Sequence, residues 1–324
     1  MRIWTRLTAM LALLAATACA AEPPPPPQAE HEADHPLVGR LWRPAEGRFA
    51  TIDEALAATL AADAVLLGET HDNPDHHALQ AWMLRRLTAA GRRPNVVFEM
   101  FDAGQTGRLN AHLAAHPGDA EGIGDAIGWA ENGWPDWPLY RPIAEAALAS
   151  GGRLIAGDLA RPQVRAIARG TEPTATLEDL GITTELDAAT LDDMKAEIRE
   201  DHCNLMPEAA LAGMVRVQRA RDAALARALA QGLKDGGGAV LIAGAGHVRA
   251  DRAVPAQLPR FAPGRSVIAI AFQEVDADRL DPTAYGVGYP GDRQPYDLVW
   301  FTRRAEREDQ CEELRRQMQK KKPG

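Results

Sequence analysis

VLLGETHDNPDHH, residues 65–77, decides how the chain is read. An aliphatic run reaches Gly68, and Glu69 and His71 follow it one residue apart, ahead of Asp72, His76 and His77. A short run that is apolar at every position marks a strand covered on both faces, as in a parallel sheet. Gly68 lets the chain turn sharply where the run ends. If the backbone stays extended beyond it, residues 69 and 71 project to the same side. Asn73 and Pro74 then read as the N-cap and first turn of a helix running to Ala90, before Gly91. His76 and His77 fall on its first turns, where a surface role is expected.

The pattern recurs along the chain. AVLLG (64–68), NVVFE (95–99), RLIAG (153–157), AVLIAG (239–244), SVIAIAF (266–272) and DLVWF (297–301) are strand candidates, the first five aliphatic throughout. Helical patterns lie between them, including a long one over 207–233 and a separate stretch around 176–205 that reads as an insertion or cap. The expected fold class is α/β: three layers, a mostly parallel sheet flanked by helices, with helical insertions. Four of the five aliphatic runs end on, or are followed by, ionisable side chains: Glu69 with His71, Glu99, Asp158 and His247. Ligands bind outside the carboxyl ends of strands in open parallel sheets, so these groups are expected to converge.

A Glu/His pair on one side of a strand end has several uses. The imidazole can bind a metal that the carboxylate shares or orients. The carboxylate can hold the imidazole as a general base. The pair can grip a ligand's polar edge, or it can be a satisfied buried ion pair. Glu69, His71, Glu99 and His247 are therefore the candidate catalytic set and the candidate ligands of a divalent Zn, Mn or Fe(II) ion with a position left for water. GAGH (244–247) is not a dinucleotide fingerprint, because Arg249 stands where GxGxxG needs its last glycine. Only Ser150 and Ser266 are present, neither in GxSxG, which argues against a serine hydrolase. The P-loop motif is absent.

GWAENGWPDWPLYRP (128–142) concentrates aromatic residues between prolines and is expected to be a loop. It reads either as a loop packed on its own rings or as a flat wall for a large planar ligand. In the second reading Trp134, Trp137, Tyr140 and Arg141 bind the cofactor, with Tyr140 as iron ligand and Arg141 as anion contact.

Around this core, residues 1–19 read as a lipoprotein leader, with Arg2 and Arg6 before an apolar run and ATAC ending at Cys19. Cleavage near Ala20 is the plainer alternative. Lipidation of Cys19 would place the protein on a bacterial cell-envelope membrane, and Ala20 after it favours the outer one. Residues 20–36, with five consecutive prolines, are expected to be an extended, solvated tether that includes His31, Glu32, Asp34 and His35. The α/β domain would then cover 37–304, and 305–324 a charged C-terminal helix. Cys203 and Cys311 either pair or stand as unrelated thiols. A net charge of −9 argues against a nucleic-acid partner.

GETHDNPDHHALQ, VVFEMFD, WPDWPLYRP, QRARDAALA (218–226) and LIAGAGHVR, in this order, resemble the ChaN-like family of bacterial haem-binding lipoproteins, which is similar to the Tiki metalloproteases and erythromycin esterases. The resemblance covers most of residues 37–302. It implies an α/β fold, a role in haem or iron acquisition, and haem held at a homodimer interface. Tyr285, Tyr289 and Tyr296 are the other tyrosines, and under this resemblance they are rivals to Tyr140 as haem ligand. It also implies that Glu69, His71, Glu99 and His247 match an acid/histidine set that supplies a base or metal ligands in hydrolytic relatives. A metal-dependent hydrolase is thus the alternative function, and whether the chain is an enzyme stays open.

Overall fold

The computed structural model describes residues 22–309, 311–312 and 314–316; Cys19 and the leader lie outside the described residues. In chain order the strands are β1 (Leu41–Arg43), β2 (Arg48–Ala50), β3 (Ala64–Glu69), β4 (Asn95–Asp102), β5 (Leu154–Asp158), β6 (Ala239–Gly244), β7 (Val267–Glu274) and β8 (Leu298–Thr302). They form one sheet in the order β2-β1-β8-β7-β3-β6-β4-β5. The six strands from β8 to β5 are parallel, and β1 runs antiparallel to β8 and β2. The expected α/β architecture is the one observed.

Helices cover both faces. Those used below are α1 (Ile52–Ala61), α2 (Pro74–Ala89), α3 (Thr106–Ala115), α4 (Ile123–Ile127), α5 (Trp137–Ala149), α6 (Arg161–Arg169), α7 (Thr174–Leu180), α8 (Ala188–Asp201), α9 (Glu208–Gly232) and α10 (Val254–Phe261). Alternation along the strands sorts the core into two layers. Val65, Leu67, Val96, Phe98, Val240, Ile242, Ile268 and Ile270 pack with Trp82 of α2 and Tyr140 and Ile143 of α5. Their neighbours in sequence, including Ala64, Ala239, Ala243, Ala269 and Ala271, face Leu225 and Leu229 of α9. One face is built of bulky side chains and the other largely of alanine, so the long helix sits close to the sheet.

Several expectations need correction. Gly68 makes no turn. The strand continues through it to Glu69, and the glycine is needed because an added Cβ would collide with the Val248 side chain. The 128–142 stretch is not all loop, since Trp137 opens α5 and Pro138 fits its first turn. Pro142 lies just inside that helix, where its missing N–H leaves the Pro138 carbonyl without the usual donor four residues on. The proline run does not stand clear of the domain. Asn73 caps α2 as expected, and Asp75 in its first turn accepts the Gln28 and Ala29 amides. The Trp82 indole donates to the Glu22 carbonyl, and Pro24 to Pro27 border, with Leu79 and Trp300, a shared apolar groove. These hydrogen bonds, absent from an isolated polyproline helix, hold the segment down.

HEADH (31–35), inside that segment, spells the H-E-x-x-H of helical zinc proteases. The pattern needs a helix to put both imidazoles on one face. Here it forms a bridge and a turn: His31 pairs with Arg304, Glu32 is left-handed (φ 59°), and His35 Nδ1 accepts the Leu37 amide. The open question about the thiols is also answered, because Cys203 and Cys311 form a disulfide.

Candidate active site at the carboxyl edge of the sheet

The structure brings Glu69, His71, Glu99 and His247 to one edge, at the carboxyl ends of β3, β4 and β6. It does not make them a single cluster. Strand parity divides them. Glu69 shares its face with Val65 and Leu67, toward α2 and α5, whereas Glu99 shares its face with Val97, toward α9. Between β3 and β4 lies β6, ending at Gly244 opposite Glu69. A Cβ on Gly244 would sit 3.0 Å from His71 Nε2 and 3.6 Å from Glu99 Oε2. The glycine is thus the gap across which the two halves approach.

The Glu69 half is held by neutral donors and imidazoles. Tyr140 OH donates to Glu69 Oε1 at 2.8 Å, and His71 Nδ1 donates to the same oxygen at 2.9 Å. His77 Nε2 donates to the His71 carbonyl at 2.9 Å, while its Nδ1 faces Glu69 Oε2 at 3.5 Å. His71 is the exposed member, with its side chain 32% accessible, and its ring meets Trp134 edge-on at 4.8 Å. Burial works against its protonation, but the hydrogen bond to Glu69 and the charge of Glu99 prevail and raise its pKa.

The Glu99 half is built from full charges. Glu99 Oε1 lies 2.9 Å from Arg221 Nη2 and 3.4 Å from His247 Nε2, and the Gly244 amide donates to Oε2 at 2.7 Å. Arg221 also grips Asp158, and His247 Nδ1 donates to Asp222 at 2.6 Å. Burial alone would raise the Glu99 pKa. The His247 and Arg221 charges outweigh it and hold the carboxyl well below its usual range. Burial likewise opposes a charge on His247, but Glu99 and Asp222 on either side push its pKa up to about 10. The edge therefore carries a buried chain of alternating charge, Asp158–Arg221–Glu99–His247–Asp222.

This arrangement gives the expected divalent-metal set no support. Among the described residues no group of three or more His, Cys, Asp or Glu side chains is placed to hold a metal ion. The reason is visible in the contacts. Both Glu99 oxygens and both His247 nitrogens are engaged, and the Arg221 guanidinium supplies the positive charge between the carboxylates.

Beside the chain lies a cleft of about 380 Å³, between the ends of β4 and β5, α6 and α9. Trp134, Met100, Met214 and Val217 supply apolar wall, and Arg161, Arg165 and Arg221 supply positive charge. Of the four residues expected to bind a cofactor, only Trp134 lines it. Tyr140 is fully buried, and burial together with Glu69 raises its phenol far above the usual value. Trp137 is in the core, its indole donating to the Ala120 carbonyl, and Arg141 pairs with Glu145 on the surface. The rival Tyr285 and Tyr296 are buried too, while Tyr289 is half-buried under Arg249. His76 and His77 are buried rather than superficial. His76 accepts the Thr70 amide at Nδ1 and donates to Thr302, and burial keeps it neutral.

Sequence reasoning missed Arg221 and Asp222, two of the five members of the charge chain. Their signal was the RARD of the long helix, visible but indistinguishable from a solvated helix face until packing turned it onto the sheet edge. Arg161 and Arg165 were missed for the same reason.

A comparison with solved structures finds the ChaN protein of Campylobacter jejuni, described by its cofacial haem binding, at a TM-score of 0.60 and 18% identity over 80% of this chain and 95% of that one. A mutant of the erythromycin esterase EreC in its open conformation (12% identity, 80% of this chain and 95% of that one) and the type III effector HopBA1 (14% identity, 78% and 92%) reach TM-scores of 0.43 and 0.38. Comparison with curated proteins gives no match. The family model described as haem-binding uptake, Tiki superfamily, ChaN matches residues 55–258, which include the whole charge chain, His71 and the cleft-lining residues. The chain belongs to the ChaN haem-binding uptake family.

Proposed function

We propose that this protein binds haem in the cleft at the carboxyl edge of the sheet and serves haem or iron acquisition from a lipid-anchored position on the cell envelope. The observation that carries the reading is the family match over residues 55–258, joined to a cleft of fitting chemistry. Haem is a flat apolar ring with two carboxylates. The cleft offers an indole, two thioethers and aliphatic side chains, with arginines for the carboxylates. Arg165 is exposed on α6, with no ion-pair partner among the described residues. Arg221 is already held between Glu99 and Asp158, and Arg161 by Asn132 and Asp102, so these shape the floor and rim while Arg165 meets the ligand. Bound haem would supply a ligand-exchangeable iron centre.

The cofacial haem of the Campylobacter protein suggests that two copies of this chain come together across their ligands. The lipobox at Cys19 supports membrane attachment, and its following Ala20 supports the outer membrane. The test is titration of the purified soluble chain with ferric haem, followed in the Soret region and by sedimentation. A saturable spectral change, weakened by Trp134→Ala and by Arg165→Glu, is expected, with dimer formation on loading. Absence of saturation in the unaltered chain would end the haem reading. Anchoring is checked separately, since Cys19→Ala should move the protein from the membrane fraction to the soluble one.

A further inference from the structure

The α8–α9 hairpin stands apart from the two cores on the sheet. Its buried apolar cluster is its own and small: Met194 and Ile198 of α8 with Leu211 and Val215 of α9. Lower down, the same α9 presents Met214, Val217 and Arg221 to the cleft, so the hairpin is one of the cleft's walls. Besides helix continuity and the packing of α9 on α6, where Gly213 lies against the Ala168 backbone and Val217 against Ile167, two further connections fix it. One is ionic: Arg249 and Arg252, after the end of β6, pair with Asp193 and Glu197 of α8. The other is covalent, through the C-terminal segment.

That segment leaves β8 and crosses the carboxyl edge. Arg304 pairs with His31, and Ala305 is buried, its amide donating to Glu274. Arg307 then grips Asp72 at 2.7 Å and Glu274 at 2.6 Å. Asp72 directly follows the exposed His71. From there the segment reaches Cys311, bonded to Cys203 in the turn at the tip of the hairpin. Cys203 and Asn204 are both left-handed there, with φ of 56° and 57°, so the turn is a defined corner and not a slack loop. The C-terminal strap is therefore fastened at one end beside His71 and at the other to the far end of the cleft wall. The bridge closes 108 residues of chain.

We propose that the Cys203–Cys311 disulfide is a redox latch on the cleft, and that a dithiol reductant opens it. In that step the S–S bond breaks, both sulfurs take up a proton and an electron to become thiols, and the reductant leaves as its own disulfide. The hairpin then keeps its ionic pins, its small apolar cluster and the packing of α9 on α6, and α8 with the start of α9, next to Met214 of the cleft wall, loosens. The consequence for ligand exchange rests on the haem reading given above; the loosening itself does not.

The experiment compares the oxidised full chain, the same protein after mild dithiol reduction, and the Cys203→Ser/Cys311→Ser variant. Hydrogen exchange is measured without haem, and haem release to an excess of apo-globin is measured with it. Reduction should speed exchange several-fold across 188–217 while β6 stays protected, and haem release should quicken several-fold. Circular dichroism of the reduced native chain guards against a variant that fails to fold. Equal exchange across 188–217 in both redox states overturns the latch. A loosened hairpin with unchanged haem release overturns its control of the cleft. A chain that binds no haem at all fails the haem reading, and the exchange data alone then decide the latch.

Discussion

Glu69 and Glu99 are the same residue type at the ends of two parallel strands one strand apart, both nearly inaccessible to water. They have been given opposite surroundings. Glu69 meets a phenol and two imidazoles, and Glu99 lies between a guanidinium and an imidazolium. The first is a network of hydrogen bonds around one charge. The second is an ion chain in which each charge justifies the burial of the next. Buried ions without partners cost several kcal/mol, so the second half tolerates loss of a member far less well.

The largest effect follows from that difference. Glu99→Gln leaves Arg221 and His247 facing each other without the intervening negative charge. We expect a loss of about 3–5 kcal/mol in urea unfolding. A loss no greater than that of the matched Glu69→Gln would break the contrast.

The pH response should separate the halves next. The folded pKa of His247 is raised from 6.5 to about 10, so its contribution is complete below pH 6.5 and is lost as pH rises through about 10. Glu99 is depressed from 4.5, so its contribution is present above pH 4.5 and is lost as pH falls through its lower folded value. Stability should therefore fall on both sides, on the alkaline side by on the order of a few kcal/mol. His247→Gln should flatten the alkaline limb in a series of denaturant titrations from pH 6 to 10. An unchanged slope would show that His247 is neutral in the fold.

Glu69→Gln comes third, at about 1–3 kcal/mol, because it retains an acceptor for Tyr140 and His71 while losing the charge. The smallest effect belongs to Tyr140→Phe. It removes one hydrogen bond to Glu69, worth about 1 kcal/mol. Because Tyr140 lies outside the cleft, this variant should leave the haem spectrum as it was. A changed Soret band would return Tyr140 to the role of iron ligand.

Parity explains why the site was only half legible in the sequence. Continuous aliphatic runs announced the parallel strands, and the polar residue after each run announced the edge. The same letters also encode which face each acid takes, since Glu69 continues the face of Val65 and Leu67 and Glu99 that of Val97. What could not be read was the opposing layer. Tyr140 looked like a loop residue open to a ligand because prolines surround it, yet Pro138 starts a helix that carries its ring into the core. The proline run looked like a free spacer because nothing within it is apolar by pattern. Its attachment depends on Asp75 and Trp82, supplied from elsewhere in the chain.

By itself the sequence determined the α/β layering, the strand edges where chemistry gathers and the family motifs, because these depend on periodicity and on residues adjacent in the chain. Only the tertiary structure decided that an arginine from a distant helix lies between Glu99 and Asp158, that Tyr140 serves Glu69, and that Cys203 meets Cys311. Those outcomes depend on pairs separated by tens to more than a hundred residues, and short-range pattern carries no record of which distant charge or thiol the packing will deliver.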